Sequence, residues 1–133
     1  MAHVLDASAL LAYFEKEPGY EKIQELLTAA ATGHRRLFLS TVNWGEAYYV
    51  THRTYGIEQA NHIAHLIGTF PIELVDVDVE LAKHAALLKV SHKLPYVDCF
   101  AAALAKTRKA TLMTGDRDFK PLEGNIKISW LSG

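Results

Sequence analysis

Cysteine is almost absent: among 133 residues there is one, Cys99. A single thiol makes no disulfide within the chain, so the composition suits a reducing cytosol. No apolar run approaches the roughly 18 residues that a membrane-crossing helix needs. The first six residues, Met-Ala-His-Val-Leu-Asp, carry no basic segment, and Asp6 interrupts their apolar run, so no secretory signal is expected. The expectation is a soluble, cytoplasmic protein. Repeats and low-complexity linkers are missing too, so residues 1–133 are expected to form one domain. Excess charge of either sign is lacking, with a formal net charge of −1. The whole-chain balance therefore does not advertise nucleic-acid binding. Local clusters at Arg35–Arg36, at Lys106, Arg108 and Lys109, and at Arg117 and Lys120 stay open as phosphate contacts or as solvated surface charge. There is no GxGxxG, no GxxxxGK[ST] and no GxSxG, which removes the usual dinucleotide, P-loop and serine-hydrolase signatures.

Half of the residues are hydrophobic, enough for one packed core. Short apolar segments at 3–5, 37–39, 72–77, 111–113 and 126–130 read as strands. Between them, helical spacing predicts helices over 8–14, about 23 to 33, 42–55, 57–67, 79–92 and 97–106. Ser40 or Thr41 and Asp78 are candidate N-caps. Gly33 and Gly56 are stops, and Pro95 disfavours helix just before it. The last helix is alanine-rich and apolar nearly all round, the mark of a buried element. Alternating strands and helices specify an α/β sandwich with a mainly parallel sheet and helices on both faces. Ligands in such sheets bind beyond the carboxyl ends of the strands.

Four acids fall there, each after its own hydrophobic segment: Asp6, Glu46, Asp98 and Asp116. Taken singly, each has an ordinary role. Asp6 can cap a helix, Glu46 can be a solvated helix residue, Asp98 a first-turn acid, and Asp116 and Asp118 turn residues. Gathered at one end of a sheet they repel, by roughly 4 kcal/mol per pair at about 4 Å and an effective dielectric near 20. A cation relieves that repulsion. Magnesium prefers oxygen ligands and keeps several waters, so one or two direct carboxylates per ion suffice. Such a site is sufficient for phosphodiester hydrolysis, with water as the nucleophile. Ser8, Asn43, Thr114 and Asp118 lie at spacings that let them orient the acids. Asp76 and Asp78 read as structural. His62 and His65 share a helical face but have no third ligand at a suitable spacing, and Cys99 reads as a small core residue.

Four segments then carry a resemblance. They are Val4-Leu5-Asp6-Ala7-Ser8-Ala9-Leu10, Ser40-Thr41-Val42-Asn43-Trp44-Gly45-Glu46, Tyr96-Val97-Asp98-Cys99-Phe100-Ala101-Ala102-Ala103-Leu104-Ala105 and Leu112-Met113-Thr114-Gly115-Asp116-Arg117-Asp118-Phe119. In order and spacing they resemble the acid motifs of the PIN-domain family. In size the chain is most similar to VapC, the toxin of type II toxin–antitoxin pairs. The resemblance implies a three-layer α/β/α sandwich whose five-stranded sheet has the order 3-2-1-4-5. It also implies a Mg2+- or Mn2+-dependent endoribonuclease, an RNA substrate, a VapB-like antitoxin partner and a homodimer. By position Asp6, Glu46, Asp98 and Asp116 match the family's acid quartet as metal ligands and catalytic groups, and Asp118 matches a less constant fifth acid. Two rivals stand beside this reading. A receiver-like phospho-acceptor domain would need adjacent acids after the first strand, where Asp6 stands alone. A catalytically inactive PIN-like binding module would not need an intact quartet.

Overall fold

The computed structural model describes residues 1–132, so residue 133 of the expected single domain lies outside the described residues. The chain opens with β1 (Ala2–Leu5), followed by α1 (Ala7–Phe14) and α2 (Tyr20–Ala31). Next come β2 (Arg36–Ser40), α3 (Thr41–Tyr55), α4 (Ile57–Thr69) and β3 (Glu73–Val75). The second half holds α5 (Val79–Ser91), α6 (Tyr96–Thr107), β4 (Thr111–Thr114), a 3-10 helix (Arg117–Leu122) and β5 (Ile128–Trp130). The five strands are parallel and ordered β3-β2-β1-β4-β5. This is the expected order. It differs from the 2-1-3-4-5 order of receiver-type sheets, which removes the phospho-acceptor rival.

The strands are apolar on both sides because both faces are covered. Successive residues point to opposite faces, so Val4, Phe38 and Leu112 join one core with α5 and α6. Their neighbours Leu5, Leu37, Leu39 and Met113 join a second core with α1 and α2. Every residue of α6 from Asp98 to Ala105 is buried. Its alanines let the helix press close to the sheet, which is how an acid at its start comes to lie over the strand ends. Phe38 is buried in one core, with the Arg36 and Arg108 guanidiniums 4.9 and 4.7 Å from its ring centroid. One exposed arginine from each of two basic clusters far apart in sequence thus meets the same aromatic ring.

Three boundaries depart from expectation for local reasons. The segment 72–77 forms strand only over Glu73–Val75; at its start the Ile72 N–H is bonded to Phe70 O at 2.8 Å and cannot join a ladder. At the other sheet edge, the Ile126 N–H is bonded to Leu122 O at 3.0 Å, so β5 starts two residues late, at Ile128. The 3-10 helix was not foreseen; it contains Pro121 and is capped by Asp116. Gly19 precedes α2 at φ 93, and a Cβ there would sit 2.1 Å from the Leu131 carbonyl oxygen. Only glycine satisfies both demands. The close approach ties the segment after β5 to the start of α2, reinforced by Lys22 Nζ donating to Trp130 O at 2.7 Å.

Candidate active site

The carboxyl ends of β1, β2 and β4 converge with the first turn of α6, and the acids gather there. Asp6 follows β1 directly and caps α1, as one of its sequence readings expected. It is 3% exposed. Its Oδ1 accepts the Ala9 N–H at 2.9 Å and the Ser8 hydroxyl at 2.7 Å. Its Oδ2 accepts the Thr114 hydroxyl at 2.5 Å. A carboxylate oxygen has about two lone-pair sites, so Oδ1 is filled and Oδ2 keeps one direction open. Burial pushes the Asp6 carboxyl up to about 6, against the three donors that pull it down.

Ser8 and Thr114 do more than hold Asp6. The Ser8 Oγ accepts the Gly115 N–H at 3.1 Å, and the Thr114 Oγ1 accepts the Asp116 N–H at 3.0 Å. The two hydroxyls therefore lock the end of β1 to the turn after β4, and fix Asp6 relative to Asp116. Asn43 plays the matching part between helices. Its Oδ1 accepts the Ser40 hydroxyl at 2.6 Å, and its Nδ2 donates to Val97 O at 3.3 Å. The start of α3 is thus tied to the residue before Asp98. Glu46, half-buried and one turn further along α3, has its carboxyl raised by burial and by Asp6 and Asp116, with Asn43 opposing.

Asp98 is 6% exposed, and its Oδ2 is buried with no hydrogen-bond partner. Burial, then Asp116, Glu46, Asp6 and Asp118, push this carboxyl up to about 7. Asp116 caps the 3-10 helix by accepting the Asp118 N–H at 2.9 Å. One oxygen each from Asp98, Asp116 and Asp118 lie within 4.8 Å of one another. Asp6 and Glu46 fall outside that grouping but act on it through their charge. The structure therefore brings all four expected acids together and moves Asp118, expected as auxiliary, among the closest of them. No regular sequence signature marks the 3-10 turn that brings Asp118 there.

The donor set fits a hard divalent cation. Three oxygens share an ion-sized space, one buried carboxylate oxygen lacks any donor, and raised proton affinities mark an uncompensated negative field. The ion pairs found among the described residues, Arg36–Glu73 and His84–Glu80, involve other acids. Neither remaining candidate joins this site. His62 and His65 lie exposed on α4. The Cys99 thiol is buried and its pKa is pushed up by that burial, the behaviour of a core residue.

Comparison with known proteins extends this picture. A family model described as PIN domain matches residues 3–125. No curated protein matches the chain in sequence. Solved structures with the same fold include VapBC2 from Rickettsia felis bound to a DNA fragment from their promoter. Its TM-score is 0.77 at 19% identity, covering 97% of this chain and 98% of that one. VapBC-1 from nontypeable Haemophilus influenzae gives 0.74 at 16% identity, covering 98% of both chains. VapC20 from Mycobacterium tuberculosis, described as a Sarcin-Ricin loop cleaving toxin, gives 0.71 at 17% identity over 90% of this chain and 93% of that one.

Proposed function

The chain belongs to the PIN-domain family, and from that premise we propose that it is a divalent-metal-dependent endoribonuclease, the toxin of a type II toxin–antitoxin pair. The observation that carries the reading is the acid cluster itself, with Asp98 Oδ2 buried and unpaired beside Asp116 and Asp118. Asp98, Asp116 and Asp118, with the open direction on Asp6 Oδ2, would hold Mg2+ or Mn2+. When bound, that cation lowers the pKa of water and offsets charge at the scissile phosphate. The protein's own groups supply the rest. Ser8, Thr114 and the Ala9 N–H fix the Asp6 rotamer before substrate arrives. Asn43 sets the spacing between the helices that carry Glu46 and Asp98. Glu46, half-buried and with its proton affinity raised, is suited to take the proton of the attacking water.

A groove of about 440 Å3 between α1, α3 and α4 supports the partner part of the proposal; it is lined by Leu11, Phe14, Thr51, Tyr55 and Ile63. A second concavity beside it presents Tyr13, Tyr20 and Phe70. Apolar grooves of this kind accept amphipathic helices, and a VapB-like antitoxin segment is the occupant proposed. Trp44 stacks on Tyr48 at 5.4 Å, and the exposed Tyr49 lines neither concavity. The proposal extends to one PIN domain working as a cytoplasmic homodimer. Among the described residues no helix is long and apolar enough to cross a membrane.

The test is to sequence RNA ends after brief induction of the wild-type chain and of Asp98→Asn, alone and with the neighbouring gene product. New discrete ends and arrested growth with the wild type alone, absent with the variant and relieved by the neighbour, are the expected result. Unimpeded growth and unchanged RNA ends at strong soluble expression contradict it.

A further inference from the structure

An acid cluster repels the phosphates of its own substrate, so a nuclease of this kind needs neighbouring groups that hold the strand. The helix carrying Glu46 offers two. Tyr49 and Arg53 follow Glu46 by three and seven residues, roughly 60° and 20° from it around α3 at 3.6 residues per turn. They therefore continue the Glu46 face along the helix. Thr51 and Tyr55, which line the apolar groove, lie roughly 140° and 180° round and face elsewhere. Tyr49 is 51% exposed. The Arg53 guanidinium lies 5.4 Å from the centre of the Tyr49 ring. No carboxylate among the described residues pairs with Arg53. A cation in the last turn of α3 complements the helix dipole, which accounts for Arg53 but not for an exposed aromatic beneath it.

We propose that Tyr49 and Arg53 position single-stranded RNA for cleavage: an unpaired base beside the scissile phosphate stacks on the Tyr49 ring, and Arg53 binds the adjoining backbone. The inference rests on the nuclease reading and adds two substrate-positioning residues to it. An aromatic face with a neighbouring cation is the general device for holding single strands, tolerant of sequence because every base has a π-face. Helix geometry places Tyr49 roughly 4.5 Å and Arg53 roughly 10.5 Å along the axis from Glu46. A base stacked at Tyr49 therefore lies within about one helical turn of Glu46 along the axis. A paired base cannot offer its face in this way, so duplex RNA is excluded as the preferred substrate.

The experiment measures binding of labelled single-stranded RNA of mixed sequence, and of the matching duplex, to the full chain in EDTA. Steady-state cleavage with Mg2+ follows. Tyr49→Ala is expected to weaken single-strand binding roughly tenfold to a hundredfold, as loss of one stacked base does, and to raise KM while sparing kcat. Tyr49→Phe and Tyr49→Trp should restore binding, and Arg53→Gln should weaken it and flatten its salt dependence. Equal binding by wild type and Tyr49→Ala overturns the proposal, as does duplex binding as tight as single-strand binding. So does a change of oligomeric state in Tyr49→Ala on sedimentation, which would make this face a contact between copies. Failure of the wild type to cleave any RNA in Mg2+ defeats the nuclease reading instead, and the chelated binding series still decides the stacking.

Discussion

Replacing Asp98 by asparagine is expected to stabilise the metal-free protein while abolishing its activity. Asp98 is buried, and its carboxyl is pushed from 3.8 to about 7 by burial first and four neighbouring acids after it. At about 1.4 kcal/mol per tenfold change in proton affinity, keeping it ionised costs at most about 4 kcal/mol. The amide removes the charge but not the polarity. One buried polar atom still lacks a partner, a burden of roughly 1–3 kcal/mol in either protein. Much of the repulsion also relaxes through water at the exposed Asp118. A net gain of about 2 kcal/mol follows, which for a domain of this size raises Tm by about 6 to 8 °C. The sign depends on pH. A carboxyl whose folded pKa lies above its unfolded one loses stability as pH rises from about 4 to about 7, and carries the full penalty above that. The advantage of Asp98→Asn should therefore be complete near pH 8, shrink as pH falls through 7, and vanish near 4. Thermal melts of both proteins in EDTA across this range are the assay, with Mg2+ added at the upper end to reverse the order. A variant less stable than wild type near pH 8 in EDTA, or an advantage independent of pH, would refute the charge-cluster reasoning.

Thr114→Val removes the donor to Asp6 and the acceptor of the Asp116 N–H; it should raise the Asp6 pKa further, shift the acidic limb of the pH–rate profile upward, and cost roughly 1–3 kcal/mol on denaturant unfolding. Gly19→Ala drives a Cβ against Leu131 O and should cost on the order of 3 kcal/mol, whereas Gly33→Ala, open but at φ 82, should cost only about 1–2 kcal/mol; equal losses would remove the close-approach argument. Mg2+ at about a hundredfold excess over its Kd should stabilise the wild type by about 2.7 kcal/mol, and Asp6→Asn or Asp116→Asn should lose most of that gain.

Elements governed by local chemistry were legible in the sequence. Ser40 and Asp78 cap helices where their side chains can reach the third following N–H, and the alanine-rich run of α6 is buried as its composition implies. What escaped depends on contacts between distant residues or on backbone groups already committed. The edge strands start later than their apolar segments because turn hydrogen bonds take the N–H groups of Ile72 and Ile126. The pairing of Arg36 and Arg108 over Phe38 joins positions 72 apart in the sequence, which no periodicity reveals. At the site, the quartet was recognisable because each acid follows an apolar segment. The nearness of Asp118 was not, because it arises from a 3-10 turn whose sequence has no regular signature. Ser8, Thr114 and Asn43 were found by spacing alone, but their task of tying β1 to β4 and α3 to α6 is visible only in three dimensions.

The central claim is that clustered carboxylates act through a divalent cation to cut RNA. Its most direct test is cleavage of RNA by the purified chain, stripped of metal and then titrated with Mg2+ or Mn2+, beside the Asp6→Asn, Glu46→Gln, Asp98→Asn and Asp116→Asn variants and an Asp76→Asn control. Cleavage that is absent after chelation, returns with metal, survives in the control and is lost in each folded site variant is the predicted result. Full cleavage after thorough chelation, or in any of the four site variants, would contradict it.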